Sequence, residues 1–219
     1  MTRVELILER LRDTLADSTE ERYKTPHLLR LISEGQRLLA RTLNNVTVKT
    51  TIAISPAQVL VNLPGSALVT DRAVLKNTEG EILKLLHLSH LDADLKLGAN
   101  WELDVGTPVA VIYDYLPIKT LKLAPIPDKS FTLELYHSRL PASLTAVTDL
   151  LEVGEECDLA IKFYATGMAL RESLDTQNRQ MGSEELSLYS TELRTLQTAK
   201  SKDNIKLGSS PSTEYRSAF

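Results

Sequence analysis

The hydrophobic residues of this chain change their spacing twice, and this change limits the possible folds more than any single motif does. Up to about residue 45 they recur every three or four positions, as in amphipathic helices. From residue 46 they alternate with polar residues, as in half-buried strands, and helical spacing returns at about residue 155. The pattern therefore predicts helices at both ends of the chain and a strand-rich middle.

Two helices are predicted before residue 46. The first covers residues 2–16, and its apolar positions from Val4 to Leu15 fall on one face. The second begins at Thr25-Pro26, where a capping hydroxyl precedes a proline at the first helical position, and it ends near Asn44. A polar loop joins the two helices.

The middle of the chain reads as six to eight strands. Alternation is clearest from Val46 to Ile54, and Asn77 to Gly80 has the composition of a hairpin turn. Further strands are predicted at residues 58–63, 67–75, 81–88 and 109–115. The segment from residue 91 to 101, which contains the single tryptophan, is expected to be irregular.

A second hairpin is predicted where two short alternating runs flank a proline-rich turn. The runs are residues 120–123 and 131–136, and Pro125 to Lys129 lies between them. Proline has no N–H to donate, so this turn cannot continue a strand ladder. We expect the two runs to pair with each other and to lead into the C-terminal helices.

Two helices and a tail are expected at the C-terminus. The helices cover about residues 155–173 and 183–200, and the second begins at Ser183-Glu184-Glu185. From Ser201 the chain is polar and aperiodic, which is typical of a disordered end.

The predicted fold class is α+β. Residues 1–45 and 150–200 form a helical bundle, residues 46–149 form an inserted antiparallel β-sandwich or barrel, and residues 201–219 form an extended tail.

Composition excludes several classes of function. A net charge of −4 gives no general reason to bind nucleic acid. The one cysteine, Cys157, rules out an internal disulfide and reads as a small buried hydrophobe. No apolar run approaches the ~20 residues of a membrane span, and acidic residues interrupt the N-terminal pattern too early for a signal peptide. We therefore expect a soluble protein made in a reducing compartment.

No catalytic or metal-binding motif stands out. His87 and His90 would share a face only on a helix, and their region reads as strand. Asp92, Asp94 and Asp104 surround Trp101 and could hold a hard cation or act as acid and base. Acidic residues in loops more often form turns, so we expect neither an active site nor a cofactor.

Several short motifs occur in an order that resembles a known family. They are residues 11–23 (a helix end with an Asp-containing loop), 28–35 (Leu-Leu-Arg-Leu-Ile-Ser-Glu-Gly), Trp101 before 106–108 (Gly-Thr-Pro), 121–127 (Leu-Lys-Leu-Ala-Pro-Ile-Pro), 141–145 (Pro-Ala-Ser-Leu-Thr) and 164–170 (Tyr-Ala-Thr-Gly-Met-Ala-Leu). This order is similar to that of the head-to-tail adaptor proteins of short-tailed bacteriophages, also called head-completion or gateway proteins.

The resemblance implies a structural protein of the virion without an active site. Proteins of this family form a ring, typically twelve-fold, below the portal at the capsid vertex, and they provide the platform for the tail. The implied partners are the portal, neighbouring subunits and tail or nozzle proteins. Genomic DNA would pass through the lumen without specific binding, no membrane is involved, and assembly would take place in the host cytoplasm.

Two sets of residues are candidates for these contacts. Arg30, Arg37 and Arg41 lie on the polar side of the second helix, which is either a solvated face or a subunit interface. The tail is either a disordered end or a portal-binding segment, because aromatic and arginine side chains dominate many interfaces. Its candidate anchors are Ile205, Leu207, Tyr215, Arg216 and Phe219.

Other functions stay open at this stage. A tail-tube or nozzle component would also be β-rich and non-enzymatic. An enzyme would have to use the three aspartates with His87 or His90. A carbohydrate-binding β-sandwich should expose aromatic residues in its loops, and only Trp101 qualifies.

Overall fold

The chain is a mixed α+β protein, as its sequence predicts. In the computed structural model, residues 2–98, 100–113 and 119–208 are described, with side chains up to residue 202. The chain divides into two compact units, with boundaries between residues 43 and 44 and between residues 140 and 141. We call the unit formed by the two ends of the chain the helical unit and the unit from Asn44 to Leu140 the strand unit.

Five α-helices and ten strands lie in the described residues. The helices are α1 (Val4–Leu15), α2 (Thr25–Leu43), α3 (His90–Leu97), α4 (Asp158–Arg171, after a 3-10 turn at Glu155–Cys157) and α5 (Thr176–Gly208). The strands are β1 (Thr47–Ile54), β2 (Leu60–Asn62), β3 (Ala67–Lys76), β4 (Ile82–Leu83), β5 (Leu86–Leu88), β6 (Val105–Gly106), β7 (Ala110–Ile112), β8 (Thr120–Ala124), β9 (Ile126–Pro127) and β10 (Phe131–Arg139).

Helix α4 is the centre of the helical unit. It packs against α1, α2 and α5. Helices α1 and α2 each turn one apolar face inward, as their sequence periodicity predicts. The α4 positions that face its neighbours are mostly small, including Ala160, Ala165, Gly167 and Ala169, so the neighbouring helices can approach closely. Cys157 is buried just before α4, which confirms its interpretation as a core residue.

Two glycines allow α4 and α5 to cross at very short distance. A Cβ atom added to Gly182 would lie 2.8 Å from the Gly167 carbonyl oxygen and 3.0 Å from the Arg171 backbone nitrogen. A Cβ added to Gly167 would lie 2.9 Å from the Gly182 carbonyl oxygen. Both glycines are buried, and no larger residue fits either position without a backbone shift.

The prediction that the last helix begins at Ser183 is wrong. Helix α5 begins at Thr176 and runs through Gly182, which the sequence pattern reads as a break. Glycine weakens a helix by about 1 kcal/mol relative to alanine, but here the missing side chain is what lets α5 pack on α4. The helix also continues to Gly208 and does not end near Lys200, so residues 201–208 are not an extended tail. The rest of the expected tail lies outside the described residues.

The described residues of the strand unit form two four-stranded sheets and one short pair. The sheet orders are β1-β10-β3-β4 and β2-β8-β7-β5, and β6 pairs with β9. Side chains from both four-stranded sheets form one hydrophobic core, for example Leu75 and Leu133 from the first sheet and Val61 and Leu121 from the second. The predicted turn at Asn77 to Gly80 does join β3 to an antiparallel neighbour, β4.

The predicted hairpin between residues 120–123 and 131–136 is wrong. Both runs are strands, β8 and β10, but β8 pairs with β2 and β7, whereas β10 pairs with β1 and β3. The proline-containing connection therefore carries the chain from one sheet to the other. Two pairings are also parallel, β5 with β7 and β6 with β9, which differs from the expected all-antiparallel arrangement.

The segment around the tryptophan is more ordered than predicted. Ser89 caps α3 by accepting a hydrogen bond from the Asp92 N–H at 3.1 Å, and the helix then runs to Leu97. Trp101 is only 2% exposed and belongs to a small second core with Ala93 and Ile112. Asp92 and Asp94 have low helix propensity, and in α3 the Ser89 cap and the packing of Ala93 outweigh it.

A charged triad ties together three strands of the first sheet. The Glu134 carboxylate on β10 lies 2.8 Å from the Lys49 ammonium on β1 and 2.8 Å from the Lys76 ammonium on β3. Hydrogen bonds from Lys49 first, and then from Lys76, hold the pKa of Glu134 below its ordinary value.

We predict that Gly182→Ala destabilises the helical unit by about 1–3 kcal/mol, because a methyl group would force the two helix backbones apart. Elsewhere in a helix this change would be stabilising, so a lower melting temperature is diagnostic. Gly65→Ala is the matched control, since nothing lies within 4 Å of its added Cβ. Equal melting temperatures for Gly182→Ala and the control would contradict the close crossing.

We predict that Glu134→Gln lowers stability at neutral pH but not in acid. Because the folded pKa is lowered, Glu134 contributes its full stabilisation above the unfolded value of 4.5 and loses it as the pH falls through the folded pKa. Urea midpoints of wild type and variant should therefore differ at neutral pH and converge as the pH falls below the folded pKa of Glu134. A difference that persists in acid would show that the glutamate acts through packing and not through its charge.

Candidate interaction surface on the second helix

The three arginines predicted as interface residues do lie on one row of α2. Arg30, Arg37 and Arg41 stand at positions i, i+7 and i+11, which places them within about 40° of each other around a helix axis. All three are exposed, whereas the opposite face of α2 is buried. We call this row, with the grooves beside it, the arginine surface.

The positive charge of this surface is least compensated towards the end of α2. Arg30 lies 3.1 Å from Glu34 and 3.3 Å from Glu172, so it is paired on both sides. Arg37 donates one hydrogen bond to the Ser143 hydroxyl at 3.1 Å. Arg41 makes no ion pair with any residue in the described part of the chain. The last turns of α2 therefore present cationic groups to solvent.

Residues 141–154 form no helix or strand, and part of this segment borders the arginine surface. Polar side chains of α2 bind the segment. The fully buried Gln36 donates to the Ala142 carbonyl at 3.1 Å and accepts from the Glu152 N–H at 3.4 Å. Ser33 accepts from the Leu144 N–H at 3.2 Å. These bonds give the segment the backbone partners that a sheet would otherwise supply.

The same segment also completes the start of α1. The N–H groups of Val4 and Glu5, which have no partner within the helix, donate to the carbonyls of Asp149 and Val147 at 3.1 Å each. The Asp149 carboxylate accepts from the backbone N–H groups of Thr145 and Ala146, and these bonds hold its pKa below the ordinary value.

Two open grooves flank the arginines and share Glu34 and Arg37. One has a volume of about 360 Å³ and lies towards Ser143 and Leu144. The other has a volume of about 270 Å³ and is lined also by Leu38, Arg41 and Tyr164. Leu38 is 37% exposed, so this second groove combines an apolar floor with a charged rim. That combination is typical of protein–protein interfaces.

The loop between α1 and α2 is fixed by an arginine and an aspartate. The Arg12 guanidinium donates to the Tyr23 carbonyl and to the Thr25 hydroxyl, and it lies 2.9 Å from Glu20. The buried Asp17 accepts from the N–H groups of residues 22 and 23, and these hydrogen bonds lower its pKa. This acidic loop residue therefore has a structural role.

Two carboxylates near the tryptophan have structural partners. The Asp92 carboxylate accepts a hydrogen bond from the Ser89 hydroxyl at 2.8 Å, and the Asp94 carboxylate accepts one from the Trp101 indole at 2.7 Å. At Asp104 it is the backbone carbonyl that accepts from the Ile126 N–H. No group of three or more histidine, cysteine or acidic side chains in the described residues is arranged to hold a metal ion.

The two histidines considered with these aspartates point to different partners. His87 lies on β5, 2.9 Å from the Tyr113 hydroxyl, and His90 begins α3, 3.7 Å from Asp94 and 3.6 Å from Glu102. Because Trp101 is buried, it does not supply the exposed aromatic that a carbohydrate-binding loop would need.

The predicted portal-binding residues fall at or beyond the end of the described chain. The backbone of Ile205 and Leu207 belongs to α5, but their side chains lie outside the described set. Tyr215, Arg216 and Phe219 lie outside the described residues altogether.

No described helix is both long and apolar enough to cross a membrane.

A family model with the description SU10 adaptor protein matches residues 1–210, which is nearly the whole chain. No curated protein matches the sequence.

We predict that Gln36→Ala lowers the unfolding free energy by about 1–2 kcal/mol, because the backbone groups of Ala142 and Glu152 lose their partner. Arg37→Ala, one position along the same helix, should change stability by no more than about 0.5 kcal/mol, since its side chain is exposed. Chemical denaturation of both variants is the measurement. If Arg37→Ala were the more damaging change, the arginine would serve the fold and not an interface.

Proposed function

Because the chain belongs to the SU10 adaptor protein family, a family of phage adaptor proteins, we propose that it is a head-to-tail adaptor of a bacteriophage virion. Copies of the chain form a ring below the portal, and the tail attaches to that ring. The observation that carries this proposal is the family match over residues 1–210.

The ring is proposed to be twelve-fold, with the arginine surface of α2 at a contact between subunits. Support comes from its exposed cationic groups and from the groove with the Leu38 floor. Subunits repeated around an axis use two different faces for each contact, so one face of a ring protein need not be self-complementary. The net charge of −4 suits a lumen through which DNA passes without specific binding.

The C-terminal end of the chain is proposed to attach the ring to the portal. Ile205 and Leu207 on α5, together with Tyr215, Arg216 and Phe219, supply the apolar, aromatic and arginine side chains that dominate many interfaces. Because α5 continues to Gly208, the attached segment begins as a helix.

The proposed role is structural, with no catalytic step and no cofactor. The protein would be assembled in the host cytoplasm and remain in the neck of the virion, in contact with portal and tail or nozzle proteins.

Cross-linking of purified virions followed by mass spectrometry tests these contacts. Cross-links from the chain to the portal and to a tail protein are expected. Cross-links only among tail-tube or nozzle proteins, or absence of the chain from virions, would overturn the proposal.

We predict that removing residues 209–219 leaves the fold intact and weakens attachment to portal rings by about tenfold or more, because a hot-spot residue is worth about 2 kcal/mol. Co-sedimentation with portal rings measures attachment, and the melting temperature reports on the fold. The control replaces the same residues by a flexible Gly/Ser segment of equal length. Unchanged co-sedimentation of the truncated chain would contradict the portal-binding role of the end.

A further inference from the structure

The outer face of α1 carries an acidic row that the fold does not use. Glu5, Glu9 and Asp13 stand four residues apart, are all exposed, and make no ion pair within the described residues. Leu6, beside this row, is 46% exposed. The face therefore has an exposed leucine with three carboxylates on one side and the exposed Arg10 on the other.

Such a row is unfavourable in an isolated helix. Like charges four residues apart destabilise a helix by about 0.2–0.5 kcal/mol per pair, and this row contains two such pairs. Helix α1 forms because its other face is buried. The acidic row therefore destabilises α1 within a single copy of the chain, and a cationic partner would reduce this destabilisation.

The arginine surface has two charged side chains of the opposite sign at the same spacing. Arg37 and Arg41 are also four residues apart, and the exposed Leu38 lies beside them in the groove that Tyr164 closes. Four residues span about 6 Å along a helix axis, so the spacing of these two arginines equals the spacing of Glu9 and Asp13. Each face also has one exposed leucine: Leu6 lies three positions before Glu9, and Leu38 lies between Arg37 and Arg41.

We propose that the outer face of α1 in one copy docks onto the arginine surface of α2 in the neighbouring copy. Leu6 enters the groove beside Leu38, and Glu9 and Asp13 lie opposite Arg37 and Arg41. This inference rests on the proposed ring, and it names the two faces by which one subunit binds the next.

A second copy of this chain is the partner because it carries the complementary charge row at the matching spacing. The two faces belong to different helices, so the contact is heterologous: each copy uses its α1 face towards one neighbour and its α2 face towards the other. Contacts of this kind repeat around an axis and close into a ring when the rotation permits. Opposite charges at the rim also favour correct pairing over the like-charged alternatives.

Charge reversal tests the proposal with the full-length chain. Two variants are made, Arg37→Glu with Arg41→Glu, and Glu9→Arg with Asp13→Arg. Each variant alone brings like charges together at the contact. The amount of ring formed on portal rings, measured by mass photometry, should therefore fall by about tenfold or more. An equal mixture of the two should restore rings, because every contact in an alternating ring is again between opposite charges.

A third variant that carries all four substitutions should also form rings, since both of its faces are reversed together. The control is Lys84→Glu with Lys96→Glu, two exposed lysines of the strand unit, which should assemble like wild type. Circular dichroism melting checks that every variant folds. If either reversed pair assembles like wild type, or if the mixture fails to rescue, the inference is overturned while the adaptor role stands.

A cross-link keeps the test independent of the portal. Leu6→Cys combined with Leu38→Cys should give a ladder of disulfide-linked multimers when the concentrated chain is oxidised, because the native Cys157 is buried. Leu6→Cys combined with Leu188→Cys, an exposed leucine on α5, is the control and should give no ladder. If wild type neither binds portal nor occurs in virions, the proposed function fails, and the ladder alone then decides whether these two faces bind each other.

Discussion

The helical unit depends on the close approach of two backbones at Gly167 and Gly182. This contact lets the long helix α5 lie directly on α4, whose small residues also admit α1 and α2. The apolar face of α2 is buried in this packing, and its opposite face lies outside the core. The arginine surface is thus the face of α2 that this helix packing leaves exposed.

The segment after the strand unit shows how the surface is supported. It has almost no regular structure, and its backbone groups bind instead to Ser33 and Gln36 of α2 and to the first N–H groups of α1. Unpaired buried backbone groups are costly, so these side chains hold the segment in place. One wall of the groove beside Arg37 is built in this way. In this chain of the SU10 adaptor protein family, side-chain hydrogen bonds therefore hold part of the charged surface in place without a helix or strand beneath it.

How much the sequence predicts depends on whether a pattern is local. Helices α1 and α2 follow from apolar periodicity, and the row of Arg30, Arg37 and Arg41 follows from helical spacing. The start of α5 was missed because a glycine that breaks many helices is here required by a neighbouring helix. The sequence does not predict the partners of β8 or of β10, because the partners of a strand depend on residues far away in the chain. The proline turn between the two strands does not reveal that the chain changes sheets. The role of Gln36 could not be predicted either, since its partners lie more than a hundred positions away.

In the proposed ring, copies of this chain bind each other around the neck of a virion through two different faces of the helical unit. A cryo-EM reconstruction of the virion neck, at a resolution that shows side chains, would show these contacts. We expect a ring of this chain below the portal, in which the carboxylates of α1 in each copy face Arg37 and Arg41 of the next. A ring in which the arginine surface faces solvent, or a neck from which the chain is absent, would contradict it.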